Sequence, residues 1–148
     1  MSIYDELRKY VGLKSGPIRL FSIDEKEISN AEKRLGFKFP SSLRTFYQQV
    51  GYGWLSSDDC QELRNLIIHP LDVVDLFFNE SEFQPPEPFL DEDLPIFDCG
   101  QDLFLVMRPR SKNPDYIYRS DGESLILAQN MQDLAAKLSV KANFYFDV

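Results

Sequence analysis

The side chains that could carry nucleophilic chemistry are few in this sequence. It has two cysteines, Cys60 and Cys99, and a single histidine, His69. A cysteine nucleophile would need that histidine as its base and an acid such as Asp72 or Asp98 to orient it. Nothing in the spacing requires such an arrangement, and a histidine directly before a proline more often has a structural hydrogen bond. We therefore do not predict an enzyme.

Metal and cofactor sites are not predicted either. One histidine among scattered carboxylates gives no spacing for a transition metal, and the acidic run at residues 91–93 lacks the glycine and terminal glutamate of a calcium loop. Gly51 and Gly53 lack the third glycine and the Lys-Ser/Thr pair of a phosphate-binding loop. With 24 acids in the chain, any chosen pair of carboxylates is uninformative about glycoside hydrolysis.

The elements that must position any site begin with a predicted pair of helices. Ser22 and Glu25 have the spacing of a capping box, so the first helix is expected to start there. Apolar residues continue at helical spacing to Leu35, and Gly36 is suited to the left-handed conformation that ends a helix.

A second helix is predicted immediately after the first. Pro40 presets the backbone for its first turn, apolar residues repeat at helical spacing up to Val50, and Gly51 ends it. The following residues, Tyr52, Gly53 and Trp54, are expected to form a turn that carries two large rings.

The remaining chain alternates short apolar runs with turn signals. Helices are predicted near residues 3–12, 71–78 and 131–138, and strands near residues 66–68, 94–97, 103–107, 116–118 and 125–127. Cys99 and Gly100 are expected to form the turn between two of these strands, and Asp121-Gly122 a tight hairpin. This order predicts an α+β fold, with N-terminal helices packed on an antiparallel sheet and a late C-terminal helix.

Residues 80–93 contain three prolines and six acids, and we expect them to form an irregular exposed loop. The segments on either side are too short to fold separately. A single domain over residues 1–148 is therefore expected, with this loop as an acidic excursion from it.

The first third of the chain resembles the opening signature of the SUKH superfamily, in its Smi/Knr-type branch. The residues that carry the resemblance are Ile28, Ala31, Leu35-Gly36, Phe39-Pro40, Phe46-Tyr47 and Gly51-Tyr52-Gly53. Residues 94–97 and 102–105 look like the family's central strands, and residues 131–138 like its late helix. Phe144, Tyr145 and Phe146 depart from the longer final helix that the resemblance implies.

The net charge of −8 is distributed unevenly. Residues 56–105 carry 13 acids against Arg64 alone, a formal charge of −12, so the remainder carries +4. An acidic middle region repels phosphate backbones, and direct nucleic-acid binding is not expected. A basic protein partner fits better, although acidic loops are also commonly only solvated surface.

The resemblance implies an immunity protein, because many bacterial members bind and neutralise a toxin. A nuclease toxin has a basic groove that an acidic surface can occupy. The alternative is a regulatory interaction module, since the superfamily also includes a yeast regulator of cell-wall synthesis and a bacterial protein at the secretion machinery. No cofactor is implied by either function.

The expected partner is therefore a cognate toxin, basic in charge. Tyr52 and Trp54 are possible aromatic anchors, and the alternative for Trp54 is that it packs the helical pair against the sheet. The acidic contact candidates are Asp58, Asp59, Glu80, Glu82, Glu87, Asp91, Glu92 and Asp93. The chain has no signal peptide or membrane-length apolar run, so a soluble cytoplasmic protein is expected, with its oligomeric state left open.

Overall fold

The computed structural model describes residues 3–13, 16, 18–55, 63–81, 89–121 and 125–146. Within them, the chain forms five α-helices and a seven-stranded sheet. The helices are α1 Ile3–Arg8, α2 Glu25–Leu35, α3 Ser41–Gln49, α4 Pro70–Phe77 and α5 Met131–Val140. The strands are β1 Ile18–Phe21, β2 Tyr52–Leu55, β3 Leu66–Ile67, β4 Leu94–Gly100, β5 Leu103–Met107, β6 Ile117–Arg119 and β7 Ile126–Ala128.

The sheet is antiparallel throughout, and its strands lie side by side in the order in which they occur along the chain. Helix α4 packs on β4, α5 packs on β7, and α2 packs on α4. Apolar side chains from helices and strands form one shared core. The predicted α+β architecture is thereby confirmed.

Helix α2 begins two residues later than the sequence pattern indicated. Its N-cap is Asp24, whose side chain accepts from the backbone of Glu27 while the Glu27 carboxylate accepts from the backbone N–H of Asp24 at 3.2 Å. The capping box is therefore Asp24 to Glu27 rather than Ser22 to Glu25. The helix ends as expected at Gly36, which has a φ of 85°.

Two turns were predicted in the wrong places. The residues from Tyr52 to Trp54 form strand β2, because the unpredicted strand β1 supplies a hydrogen-bonding partner along their whole length. Likewise, Gly100 continues β4, and the reversal occurs at Gln101 and Asp102, which have positive φ values of 55° and 64°.

The C-terminal residues 144–146 do not form a long final helix, as their sequence indicated. Helix α5 is capped by the side chain of Asn130, which accepts from the backbone N–H of Asp133 at 2.8 Å. After it, Phe144–Phe146 form a single 3-10 turn. Within the described ranges no helix is both long enough and apolar enough to span a bilayer.

Candidate protein-binding surface

The two faces of the sheet differ in exposure along one cross-strand row. Directly paired residues of an antiparallel sheet project to the same face, and neighbours along a strand project to opposite faces. One row is half-exposed over its first four residues, namely Arg19, Trp54, Leu66 and Asp98, and ends at the buried Phe104. The adjacent row on the opposite face is buried at Leu20, Gly53, Ile67, Phe97 and Leu105. Strands β1 to β3 therefore present an accessible face.

Trp54 contributes its indole ring to this accessible face. The Arg19 guanidinium carbon lies 4.7 Å from the centroid of the ring, a cation–π contact, and the Phe21 ring approaches edge-on at 6.3 Å between centroids. Both neighbours belong to β1 rather than to the helical pair. The half-buried ring is thus held by its neighbours while part of its surface stays accessible.

Tyr52 lies two residues before Trp54 on the same strand and therefore projects to the same face. Its ring centroid is 5.4 Å from that of Phe21 and 4.8 Å from that of His69, which it meets edge-on. Phe21 is itself 38% exposed. Arg19 and Phe21 were not predicted as surface residues, because the four-residue strand β1 was not predicted from the sequence. The sequence signal of this strand is weak, because the alternation between the buried Leu20 and its more exposed neighbours extends over only four residues.

The eight acidic candidates divide into three that are exposed, four that lie outside the described residues, and Asp93, which is buried. Glu80, Asp91 and Glu92 are exposed, although Glu80 accepts from the Arg34 guanidinium at 3.0 Å and Glu92 lies 3.8 Å from that of Arg108. Four candidates lie outside the described residues: Asp58, Asp59, Glu82 and Glu87.

Asp93 requires a correction, because it is buried rather than displayed. It is only 3% exposed, and it accepts from the Arg108 Nε atom at 3.0 Å. Burial raises the pKa of its carboxyl, and the neighbouring Arg108 charge opposes that rise. Asp93 is therefore bound inside the protein and is not part of the surface that a partner would contact.

His69 and Cys99 have separate partners. The His69 Nδ1 atom accepts from the backbone N–H of Leu71 at 3.1 Å, which caps α4, and its Nε2 atom lies 3.5 Å from a Glu27 oxygen. Cys99 is fully buried, and its thiol lies within hydrogen-bonding distance of the Tyr145 side chain; burial raises the pKa of the thiol well above the ordinary value. Cys60 lies outside the described residues.

Metal ligands do not cluster in the parts of the chain that the structure describes. No group of three or more His, Cys, Asp or Glu side chains there is arranged to hold an ion. The described surface offers aromatic rings on the sheet and carboxylates at both ends of residues 80–93, which we call the acidic segment; such groups can contact a protein partner.

Comparison with known proteins agrees with the resemblance noted from the sequence. Residues 22–137 match the model of the SMI1/KNR4 family (SUKH-1). A relative from Bacillus subtilis (strain 168), named Immunity protein YxxD, is 30% identical over 136 residues, which cover 86% of this chain and 88% of the relative. No solved structure gives a significant match.

Proposed function

Because the chain belongs to the SMI1/KNR4 family (SUKH-1), we propose that it is an immunity protein that binds and neutralises a cognate bacterial toxin. The observation that carries this proposal is the similarity to a relative named as an immunity protein over most of both chains. On this proposal the protein acts by binding alone. The separate structural partners of His69 and Cys99 support a non-catalytic role.

We further propose that the toxin is basic and that an acidic surface leads recognition. Residues 56–105 carry a formal charge of −12, and Glu80, Asp91 and Glu92 are exposed within them. A nuclease is the toxin class that fits best, because its substrate groove must be basic and would accept a negative protein surface. Opposite charges would also speed the association of the two proteins. We propose that this association takes place in the cytoplasm.

The proposed contacts combine charge with aromatic anchors. Tyr52 and Trp54 would supply apolar area from the accessible sheet face, since partly exposed aromatic rings often contribute a large share of binding energy. The accessible acids Glu80, Asp91 and Glu92 would supply the charge. Asp58, Asp59, Glu82 and Glu87 complete the proposed set on their sequence positions alone.

Co-expression tests the proposal directly. Cells that produce the product of the gene adjacent to this one should be poisoned, and co-production of this chain should restore their growth. A toxic neighbour that this chain fails to neutralise would overturn the immunity function. Recovery of several unrelated partners, rather than one, would instead favour the regulatory module.

The salt dependence of association tests the charge component separately. For purified partners, the association rate constant should fall by about tenfold or more between 50 and 500 mM NaCl, because screening weakens attraction between exposed charges. A rate indifferent to salt would leave immunity intact and would exclude recognition led by the acids.

A further inference from the structure

A groove of about 790 Å³ lies between the ends of α2 and α4 on one side and the end of the acidic segment on the other. We name it the phenylalanine groove; its apolar lining includes Phe37, Phe77, Phe78, Phe89 and Leu90. Its volume falls in the range of protein pockets that accept a ligand or an anchoring side chain.

The floor of the phenylalanine groove is a continuous series of rings. Phe37 and Phe77 meet edge-to-face with 5.8 Å between centroids, and Phe77 and Phe78 do so at 5.2 Å. Phe78 is nevertheless 43% exposed, and Leu90 on the opposite wall is 50% exposed. Two large apolar side chains therefore face solvent across one concave site, which is typical of an interaction surface.

Both walls of the groove are anchored to the fold. The Arg34 guanidinium on α2 bonds to Asp75 of α4 at 2.9 Å and to Glu80 at 3.0 Å. On the other side, the Phe89 ring packs edge-on against Phe104 of β5 with 5.4 Å between centroids. The groove is thus formed before a partner arrives, so binding need not order its walls.

The charges around the groove favour a cationic visitor. Asp91 lines the groove, is exposed and has no ion pair among the described residues. The arginines nearest to the other acids are occupied, Arg34 by Asp75 and Glu80, and Arg108 by Asp93. Among the described residues of the lining Arg110 is the one basic side chain; it lies over the Phe37 ring at 5.4 Å and formally offsets Asp91. The negative charge that remains comes from the two arginine clusters, because Arg34 faces both Asp75 and Glu80, and Arg108 faces both Glu92 and Asp93, which leaves a formal charge of −1 in each.

Along the chain, the residues that join Phe78 to Leu90 and Asp91 are rich in acids. Residues 80–93 contain six acids and no lysine, arginine or histidine. A second copy of the chain also carries a net charge of −8, so overall charge repulsion disfavours self-association. A positively charged partner that also carries apolar side chains is complementary to both the negative charge and the apolar lining of the groove.

We propose that the phenylalanine groove receives a toxin segment in which an apolar side chain is flanked by lysine or arginine. The apolar side chain enters between Phe78 and Leu90, and the flanking cation pairs with Asp91. This docking mode rests on the immunity function proposed above, and it adds a binding site that the acidic segment alone does not define.

Substitutions at the exposed positions test the docking mode with little risk to folding. The double variant Phe78→Ser/Leu90→Ser removes the apolar walls, and Asp91→Lys reverses the unpaired charge. Val140→Ser is the matched control for lost apolar exposure, since Val140 is 88% exposed on α5. Glu6→Lys on α1 is the control for charge reversal at an exposed acid away from the groove; unlike Asp91, Glu6 lies 3.6 Å from a lysine, Lys9. Circular dichroism and thermal unfolding should show that all four variants remain folded.

The readouts are rescue of cells from the adjacent gene's product and the affinity for that product, purified after cell-free synthesis. We expect the double variant to bind at least about tenfold more weakly, Asp91→Lys to associate about tenfold more slowly, and both controls to stay within about twofold of wild type.

The outcomes separate the docking mode from the function. If wild type rescues cells and both groove variants do so equally well with unchanged affinity, the docking mode is wrong and the immunity function stands. If wild type itself neither binds nor rescues, both proposals fall. Equal losses in the groove variants and the controls would indicate a general surface effect and would also overturn the docking mode.

Discussion

The Tyr145 hydroxyl donates a hydrogen bond to the side-chain oxygen of Asn65, joining the C-terminal 3-10 turn to the residue before β3. Both side chains are fully buried. The Asn65 amide also donates to the backbone oxygen of Ala142 at 2.8 Å. The last described turn is therefore tied to the interior by a polar pair that water does not reach.

Removing either member of this pair should destabilise the protein. In Tyr145→Phe the Asn65 oxygen loses this buried donor, so the free energy of unfolding should fall by about 1 to 3 kcal/mol. Asn65→Ala removes both of its side-chain bonds and should cost more. Urea unfolding of the single and double variants measures this, and additive losses would show that the two residues do not act together.

Gly53 should tolerate no side chain. It has a φ of 132°, and a Cβ atom built there would lie 2.2 Å from the backbone oxygen of Arg19. Gly53→Ala should therefore lower the free energy of unfolding by more than about 3 kcal/mol, because the strand pair must separate.

Gly36 provides the matched control for that substitution. Its φ is also positive, at 85°, but a Cβ atom at this position would have no neighbour within 4 Å. Gly36→Ala should cost only the left-handed strain, about 1 kcal/mol. Equal losses at Gly36 and Gly53 in urea unfolding would contradict the close approach of β1.

Replacement of His69 should weaken the fold slightly and leave immunity intact. His69→Ala removes the side chain that caps α4, so the free energy of unfolding should fall by about 0.5 to 2 kcal/mol. Rescue of cells from the toxin should persist at a temperature where the variant is folded. Complete loss of protection with an unchanged unfolding curve would contradict this prediction and would show that His69 is required for function; affinity for the toxin would then tell whether it positions the adjacent Tyr52 ring for binding.

The sequence predicted the elements whose signals are local. The C-terminal end of α2 follows from Gly36, and the start of α5 follows from Asn130, because each cap is formed within one turn of the chain. Those signals require no knowledge of tertiary contacts.

The features that could not be predicted depend on distant partners. Whether Tyr52 and Trp54 form a turn or a strand is decided by residues 18–21, more than 30 positions away. Asp93 belongs to an acidic run by composition, yet Arg108, 15 positions along the chain, binds it in the interior. The phenylalanine groove likewise combines α2, α4 and the residues before β4, so no single window of sequence reveals it.

Asp93 should give the stability a specific dependence on pH. Because burial raises its pKa above the unfolded value of about 3.9, the folded state holds this proton more tightly than the unfolded state does. Its contribution to stability is therefore fully present below the unfolded pKa and declines as the pH rises through the raised folded pKa.

The variant Asp93→Asn isolates that contribution. The difference in free energy of unfolding between wild type and variant should fall as the pH rises from about 3 and become constant above the folded pKa. Urea titrations across this range measure it. A difference that grows with pH would show that attraction to Arg108, 3.0 Å away, outweighs the cost of burial.

The order of the strands affects how the sheet can assemble while the chain is being synthesised. Each strand joins the one that precedes it in the chain, so no strand has to be inserted between two that are already paired. During synthesis the sheet can grow outward from its first edge as successive segments leave the ribosome. The interior is completed only when α5 and Tyr145 arrive, because their side chains belong to the same core, so some of the last residues to be made close the fold.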